Sequence, residues 1–203
     1  MALKALMVDV DGVIVRRPDG TLWNRDAQAD IGLDPEAFHE RFFAVHWPDV
    51  VLGKADLHDR LGPVLAEIAP HLTSQQVADY WFKEDAYLDH GLLEELAEYR
   101  TRGLELHLAT VQEHYRARYL WEDMALKDRF QAIHYAADLG CKKPQAEFFE
   151  TVTARTGFAP GELLLIDDAP ANVAGAQGCG WNAVLWTGER RLADLLAEAG
   201  IAA

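Results

Sequence analysis

The sequence predicts an α/β fold: a Rossmann-like, three-layer α/β/α parallel sheet with a small helical cap inserted after the first strand. Three observations predict it. Five short apolar runs recur along the 203 residues with helical patterns between them, which reads as βαβ units covered by helices. The segment from about Val15 to Leu88 breaks that alternation with helical patches and no convincing strand. The apolar runs also end in chemistry-bearing side chains, and open parallel sheets place their ligands at the carboxyl ends of their strands.

Taken in order, the first run is Leu3 to Val8, free of Pro and Gly until Gly12 breaks the chain after Asp9-Val10-Asp11. In an extended chain residues two apart point to the same side. Two like charges held so close raise each other's cost of ionisation. A hard cation such as Mg²⁺, which prefers oxygen ligands, relieves that repulsion. An Asp-Gly turn ending a strand is the plain alternative. Helical patches follow at Pro35 to His46, Lys54 to Ile68 and Ser74 to Lys83, with Asp34 before Pro35 reading as an N-cap. An insertion here hangs over the carboxyl edge of the sheet as a lid above Asp9 and Asp11. The expected division is a core of residues 1–14 and 89–203 and a cap of residues 15–88. The cap aromatics Trp23, Phe42, Phe43 and Trp47 read as packing rather than recognition, and Lys54 as a surface lysine.

A helical pattern at Leu92 to Arg102 leads into the second run, Leu104 to Ala109, which ends in Thr110. His114 to Trp121 is helical. The third run, Ala132 to Tyr135, leads through a short loop to Lys142-Lys143-Pro144. Ala146 to Thr156 is helical, and the fourth run, Leu163 to Ile166, ends in Asp167 and Asp168. The fifth is Ala183 to Trp186, and Arg190 to Ala199 closes the chain. Gly103, Gly157 and Gly200 follow three of these helices, as C-caps often do. In a parallel sheet, Asp9, Asp11, Thr110, Lys143 and the Asp167-Asp168 pair then converge in one crevice.

Half of the residues are apolar, enough for one well-buried domain. A formal net charge of −14 argues against a nucleic-acid surface and against anionic membranes. No 18-residue apolar run and no basic-then-apolar leader is present, so neither a membrane span nor a signal peptide is indicated. The two cysteines, Cys141 and Cys179, have no CxxC spacing, and a reduced cytoplasm is the expected location. The eight histidines show no HxxxH spacing, which disfavours zinc.

Together these residues resemble the haloacid dehalogenase-like hydrolase superfamily, with a small helical (C1-type) cap. Asp9-Val10-Asp11-Gly12-Val13 looks like its first motif and Leu108-Ala109-Thr110 its second. Lys143-Pro144 matches the third, and Leu165-Ile166-Asp167-Asp168 with Asn172 the fourth. The stretch from Asp167 to Trp186 is particularly similar to small-capped sugar-phosphate phosphatases. The resemblance implies that Asp9 is the nucleophile, giving an aspartyl-phosphate, and that Asp11 is the general acid and base. It implies Mg²⁺ held by the Asp9 side chain, the Asp11 backbone carbonyl and Asp168, with Asp167 reached through water, while the sequence leaves open which of Asp167 and Asp168 binds directly. Lys143, Thr110 and backbone amides near Gly12 would contact the phosphoryl oxygens. The plainer readings are a helix cap for Thr110, a helix-start charge pair for Asp167 and Asp168, and a helix-start residue for Asn172. Relatives often carry asparagine after the second-motif hydroxyl, and Val111 departs from that.

The expected activity is a Mg²⁺-dependent phosphatase acting on a small phosphorylated metabolite, with a sugar phosphate as a candidate. The alternatives are a phosphomutase like β-phosphoglucomutase and a non-catalytic binding protein on the same fold. Dehalogenation is disfavoured by Asp11, since carbon–halogen displacement needs no acid for its leaving group.

Overall fold

The computed structural model describes residues 2–200. Five parallel strands, β1 (Ala5–Val8), β2 (Glu105–Thr110), β3 (Ala132–Tyr135), β4 (Leu163–Asp167) and β5 (Asn182–Leu185), form one sheet. Their order is β3-β2-β1-β4-β5, so the chain reverses direction across the sheet at the central strand β1. A crevice opens outside the carboxyl ends at such a reversal. Val8 pairs with Leu108 on one side and Ile166 on the other. By that register Asp9 is level with Asp167, and Thr110 and Asp168 flank Val10.

The strands are largely apolar because both faces are covered, with His107 and His134 as buried polar exceptions in β2 and β3. On one face Leu6, Val8, Leu106, Leu108, Leu164 and Ile166 meet Leu92, Leu96 and Leu196. These last come from α6 (His90–Thr101) and α11 (Leu192–Glu198), which build this layer. On the other face Ala5, Met7, Ala109, Leu163 and Leu165 meet Phe148, Phe149, Val152 and Ala176, from α9 (Ala146–Thr156) and α10 (Pro170–Gly178). The result is the expected three-layer α/β/α core.

Between β1 and α6 the chain is helical: α1 (Ala27–Ile31), α2 (Pro35–Phe38), α3 (Trp47–Val50), α4 (Leu57–Ile68) and α5 (Ser74–Glu84). Phe38, Phe42, Leu61, Leu65, Val77 and Trp81 give this segment a hydrophobic core of its own. Asp34 caps α2 as expected, its side chain accepting from Glu36 N at 2.9 Å. The single helix expected over Pro35 to His46 is instead α2, a π-helical turn at His39–Phe43, and a fresh start at Trp47. Likewise α4 begins at Leu57 rather than Lys54, because Asp56 caps it by accepting from His58 N and Asp59 N.

Two core helices were not evident from periodicity. α8 (Ala136–Leu139) replaces part of the loop expected before Lys142, and α10 is too rich in Ala and Gly to show an apolar stripe. Gly157 caps α9, while Gly103 and Gly200 come one residue after the caps Arg102 and Ala199. Among the described residues, no helix is long and apolar enough to cross a membrane.

α7 (His114–Arg118) joins the two parts. Its Arg116 is 1% exposed. Its Nη1 donates to the Phe82 carbonyl at 2.9 Å and its Nη2 to the Asp85 carbonyl. The guanidinium lies 5.6 Å from the ring centres of both Phe82 and Tyr119. Truncation would leave those carbonyls and the nearby Asp85 carboxylate without their cation. Arg116→Ala is expected to lower stability by about 3 kcal/mol. In guanidinium denaturation this reads as a lower midpoint with the slope unchanged.

Candidate active site

β1 hands the chain to Asp9, whose N–H still donates to the Ile166 carbonyl at 2.9 Å and so fixes the residue against β4. Its carboxylate is oriented twice over. Oδ1 accepts from Val10 N at 2.7 Å and lies 3.0 Å from Lys143 Nζ. With 8% exposure, Asp9 has its pKa pushed up to about 7. Burial is the largest cause, Lys143 opposes it, and the charges of Asp167 and Asp11 add to it.

Lys143 arrives from the loop after α8 with its side chain fully buried, and Nζ donates to Asp167 Oδ2 at 2.5 Å. That loop lies hard against α10: a Cβ built at Gly175 would sit 2.7 Å from the Pro144 carbonyl oxygen. Asp167 is saturated. Its Oδ1 accepts from Ala169 N at 2.9 Å and Asn172 Nδ2 at 3.0 Å, and its Oδ2 takes the lysine. Asn172 thus does more than start a helix: it secures the carboxylate that secures Lys143. Asp168 opens to solvent, and its pKa is raised by partial burial first and by Asp167 beside it second.

One carboxylate oxygen from each of Asp9, Asp167 and Asp168 lies within 4.8 Å of the others. Three carboxylates against one ammonium leave excess negative charge in a set of oxygens whose spacing suits a hard divalent cation. Because Asp167 is committed to Lys143 and Asn172, Asp9 and Asp168 are the carboxylates free to ligate. The Asp11 side chain stands outside this set. Its Oδ2 accepts from Gln112 Nε2 at 2.6 Å.

Gln112 is the residue that reading the sequence missed. It is 3% exposed, and its amide also lies 3.5 Å from Thr110 Oγ1. Val111 carries no carboxamide, and the chain supplies one a single residue later. Thr110 itself is buried at the end of β2, beside the same group. Gly12 has φ +80°, and a Cβ there would overlap the Asp168 carboxylate, so only glycine brings this turn so close. The expected phosphate contact at Gly12 needs revision. Its N–H donates to the Val15 carbonyl at 2.9 Å, which closes the turn and removes that donor.

Above these residues lies a cleft of about 830 Å³. Asp11, Gly12 and Asp168 form its floor, Arg16 and Arg17 one rim, and Trp23, Phe43, Trp81 and Asp85 the helical side. Trp23 and Phe43 therefore border the cleft as well as packing, whereas Phe42 is wholly buried and Lys54 lies on the surface away from the cleft. Asp85 has its pKa raised to about 6, by burial first and Asp11 second, against the pull of Arg116.

Comparison with known proteins adds four findings. The family model for haloacid dehalogenase-like hydrolases matches residues 3–180. A HAD family enzyme of Bacteroides thetaiotaomicron superposes with TM-score 0.78 at 17% identity, covering 97% of this chain and 99% of that one. The wild-type form of that enzyme in complex with magnesium and inorganic phosphate superposes with TM-score 0.72 at 17% identity, over 96% and 99% of the two chains. A Porphyromonas gingivalis protein, itself a predicted HAD-like family hydrolase, gives TM-score 0.77 at 20% identity over 100% of both. At these identities the structures speak for the shared fold.

The Asp9 shift carries a consequence for stability. Its pKa is about 7 in the fold against 3.8 for an unperturbed carboxyl, so proton binding favours the folded state. In cation-free protein that contribution is complete below about pH 4 and is lost as pH rises through about 7. Asp9→Asn carries no such proton, and its stability is expected to lack this decline. Urea midpoints for both proteins in chelator, measured across that window, check the difference.

Proposed function

The chain belongs to the haloacid dehalogenase-like hydrolase family, and from that premise we propose that it is a magnesium-dependent phosphatase of small phosphomonoesters such as sugar phosphates. The observation that carries this reading is the position of Asp9. It sits at the centre of the sheet, 3.0 Å from a buried ammonium and within 4.8 Å of Asp168.

In the proposed reaction an Asp9 oxygen attacks phosphorus as the bond to the ester oxygen breaks, leaving an aspartyl-phosphate. Asp11, held by Gln112, gives its proton to the departing alkoxide. It then takes a proton from the water that cleaves the acyl phosphate, which frees inorganic phosphate and restores Asp9. Lys143 steadies Asp9 and offers positive charge beside the phosphoryl oxygens, and Thr110 adds a hydroxyl donor at the end of β2. The Asp11 N–H, which has no acceptor among the described residues, takes the place expected for Gly12. Asp9, Asp168 and the Asp11 carbonyl would hold Mg²⁺, which when bound neutralises charge on the phosphoryl group. Asp167 acts at one remove by holding Lys143.

Residues 15–88 serve as a cap over the core of residues 1–14 and 89–203 in this reading. The free thiols of Cys141 and Cys179 accord with a cytoplasmic location.

Asp9→Asn should abolish release of phosphate from an aryl phosphate supplied with Mg²⁺, with the fold intact by circular dichroism. Full turnover in that variant would overturn the assigned nucleophile. Asp11→Asn should cost roughly 10²- to 10⁴-fold in kcat. Asp168→Asn should raise the Mg²⁺ concentration needed for half-maximal rate.

A further inference from the structure

Arg16 and Arg17 follow the turn that carries Asp11, and both border the cleft that holds Asp11 and Asp168. Their surroundings differ. Arg17 is committed: Nη1 donates to the Glu84 carbonyl at 2.9 Å and lies 3.4 Å from the Glu84 carboxylate. Its guanidinium also rests 4.9 Å from the centre of the Tyr87 ring. Arg16 has its backbone pinned, N–H to the Tyr87 carbonyl at 2.9 Å. Its side chain is exposed, and among the described residues it meets neither a carboxylate nor a hydrogen-bond acceptor. The guanidinium lies on Gly188, where any Cβ would overlap it. The chain leaves room for this side chain without giving it a partner.

The cleft's own acids do not account for it. Asp85 faces Arg116 at 3.6 Å, Asp11 is bound by Gln112 at 2.6 Å, and Asp168 gathers with Asp9 and Asp167. Among the described residues an unpaired arginine is therefore left on the rim of this cleft, in a protein of net charge −14. The helical side of the same cleft is aromatic. Trp23 stacks on Trp81 with centroids 5.3 Å apart and planes at 20°, and Phe43 meets Trp81 edge-on at 5.4 Å.

We propose that Arg16 is a specificity-determining residue, and that the substrate is a phosphomonoester bearing a second anionic group, a carboxylate or a further phosphate. The second anion takes the planar fork of Arg16, which suits both groups. The body between the two anions lies against Trp23, Phe43 and Trp81 with a flat apolar face, either an aryl ring or the C–H face of a sugar. This inference rests on the phosphatase reading and narrows its substrate class.

The test compares phenyl phosphate, para-carboxyphenyl phosphate and the uncharged para-carbamoylphenyl phosphate, with Mg²⁺, in the wild type, Arg16→Gln and Arg16→Lys. The wild type is expected to favour the carboxylate over the carbamoyl compound by about tenfold in kcat/KM, chiefly through KM. Arg16→Gln should bring that ratio close to one, and Arg16→Lys should keep part of it. A ratio near one in the wild type, or an unchanged ratio in Arg16→Gln, overturns this proposal and leaves the phosphatase reading standing. No hydrolysis of any of the three by the wild type overturns the phosphatase reading, and this one with it.

Discussion

The buried ammonium of Lys143, shared between Asp9 at 3.0 Å and Asp167 at 2.5 Å, is the interaction on which the rest of the site depends. Taking carboxylates out of water costs several kcal/mol each unless charge and hydrogen bonds offset it. Here one cation serves two acids, and Asp168 adds a third negative group to the same cluster. The two buried acids are treated differently. Asp167 receives the lysine and two further donors, whereas Asp9 receives the lysine and one amide and has its pKa driven up to about 7. A carboxylate left under-compensated in this way is open to an additional cation.

That electrostatic arrangement requires a rigid frame, and the sheet supplies it. β1 sits between β2 and β4 with every residue buried, so Asp9 and Asp167 leave adjacent strands at one level. Two glycines then bring in the remaining parts by offering no side chain. Gly12 lets the turn after β1 lie on Asp168, and Gly175 lets the Lys143-Pro144 loop lie on α10. The helical segment supplies none of the clustered acids or the lysine. It is tied to the core by Arg116, and it forms the aromatic side of the cleft over the Asp11 turn. The clustered acids with their lysine and the aromatic wall of the cleft thus come from different parts of the chain.

Much of this was legible from residue order. Parallel strands buried on both faces read as near-continuous apolar runs, and all five stood where the runs did, give or take a residue or two at the ends. Asp9, Thr110, Asp167 and Asp168 were recognisable because a strand end is a definite place, and Lys143 because it precedes Pro144. What escaped has physical causes. α10 carries its packing on Ala176 and the close-fitting Gly175, so it shows no apolar stripe. The π-helical turn at His39–Phe43 reflects aromatic packing among Phe38, Phe42 and Phe43 that periodicity does not encode. Gln112 was overlooked because its contact with Asp11 spans 101 residues. The N–H of Gly12 is taken by the turn to Val15, a local bond that residue order does not reveal.

The central claim is that Asp9 itself accepts the phosphoryl group, and its most direct test is chemical trapping. Protein turning over an aryl phosphate with Mg²⁺ is quenched in acid, reduced with borohydride to convert any acyl phosphate to an alcohol, and mapped by peptide mass spectrometry. Reduction confined to Asp9 is the predicted result. Steady release of phosphate with Asp9 unmodified, or with the reduced residue found elsewhere, would contradict it.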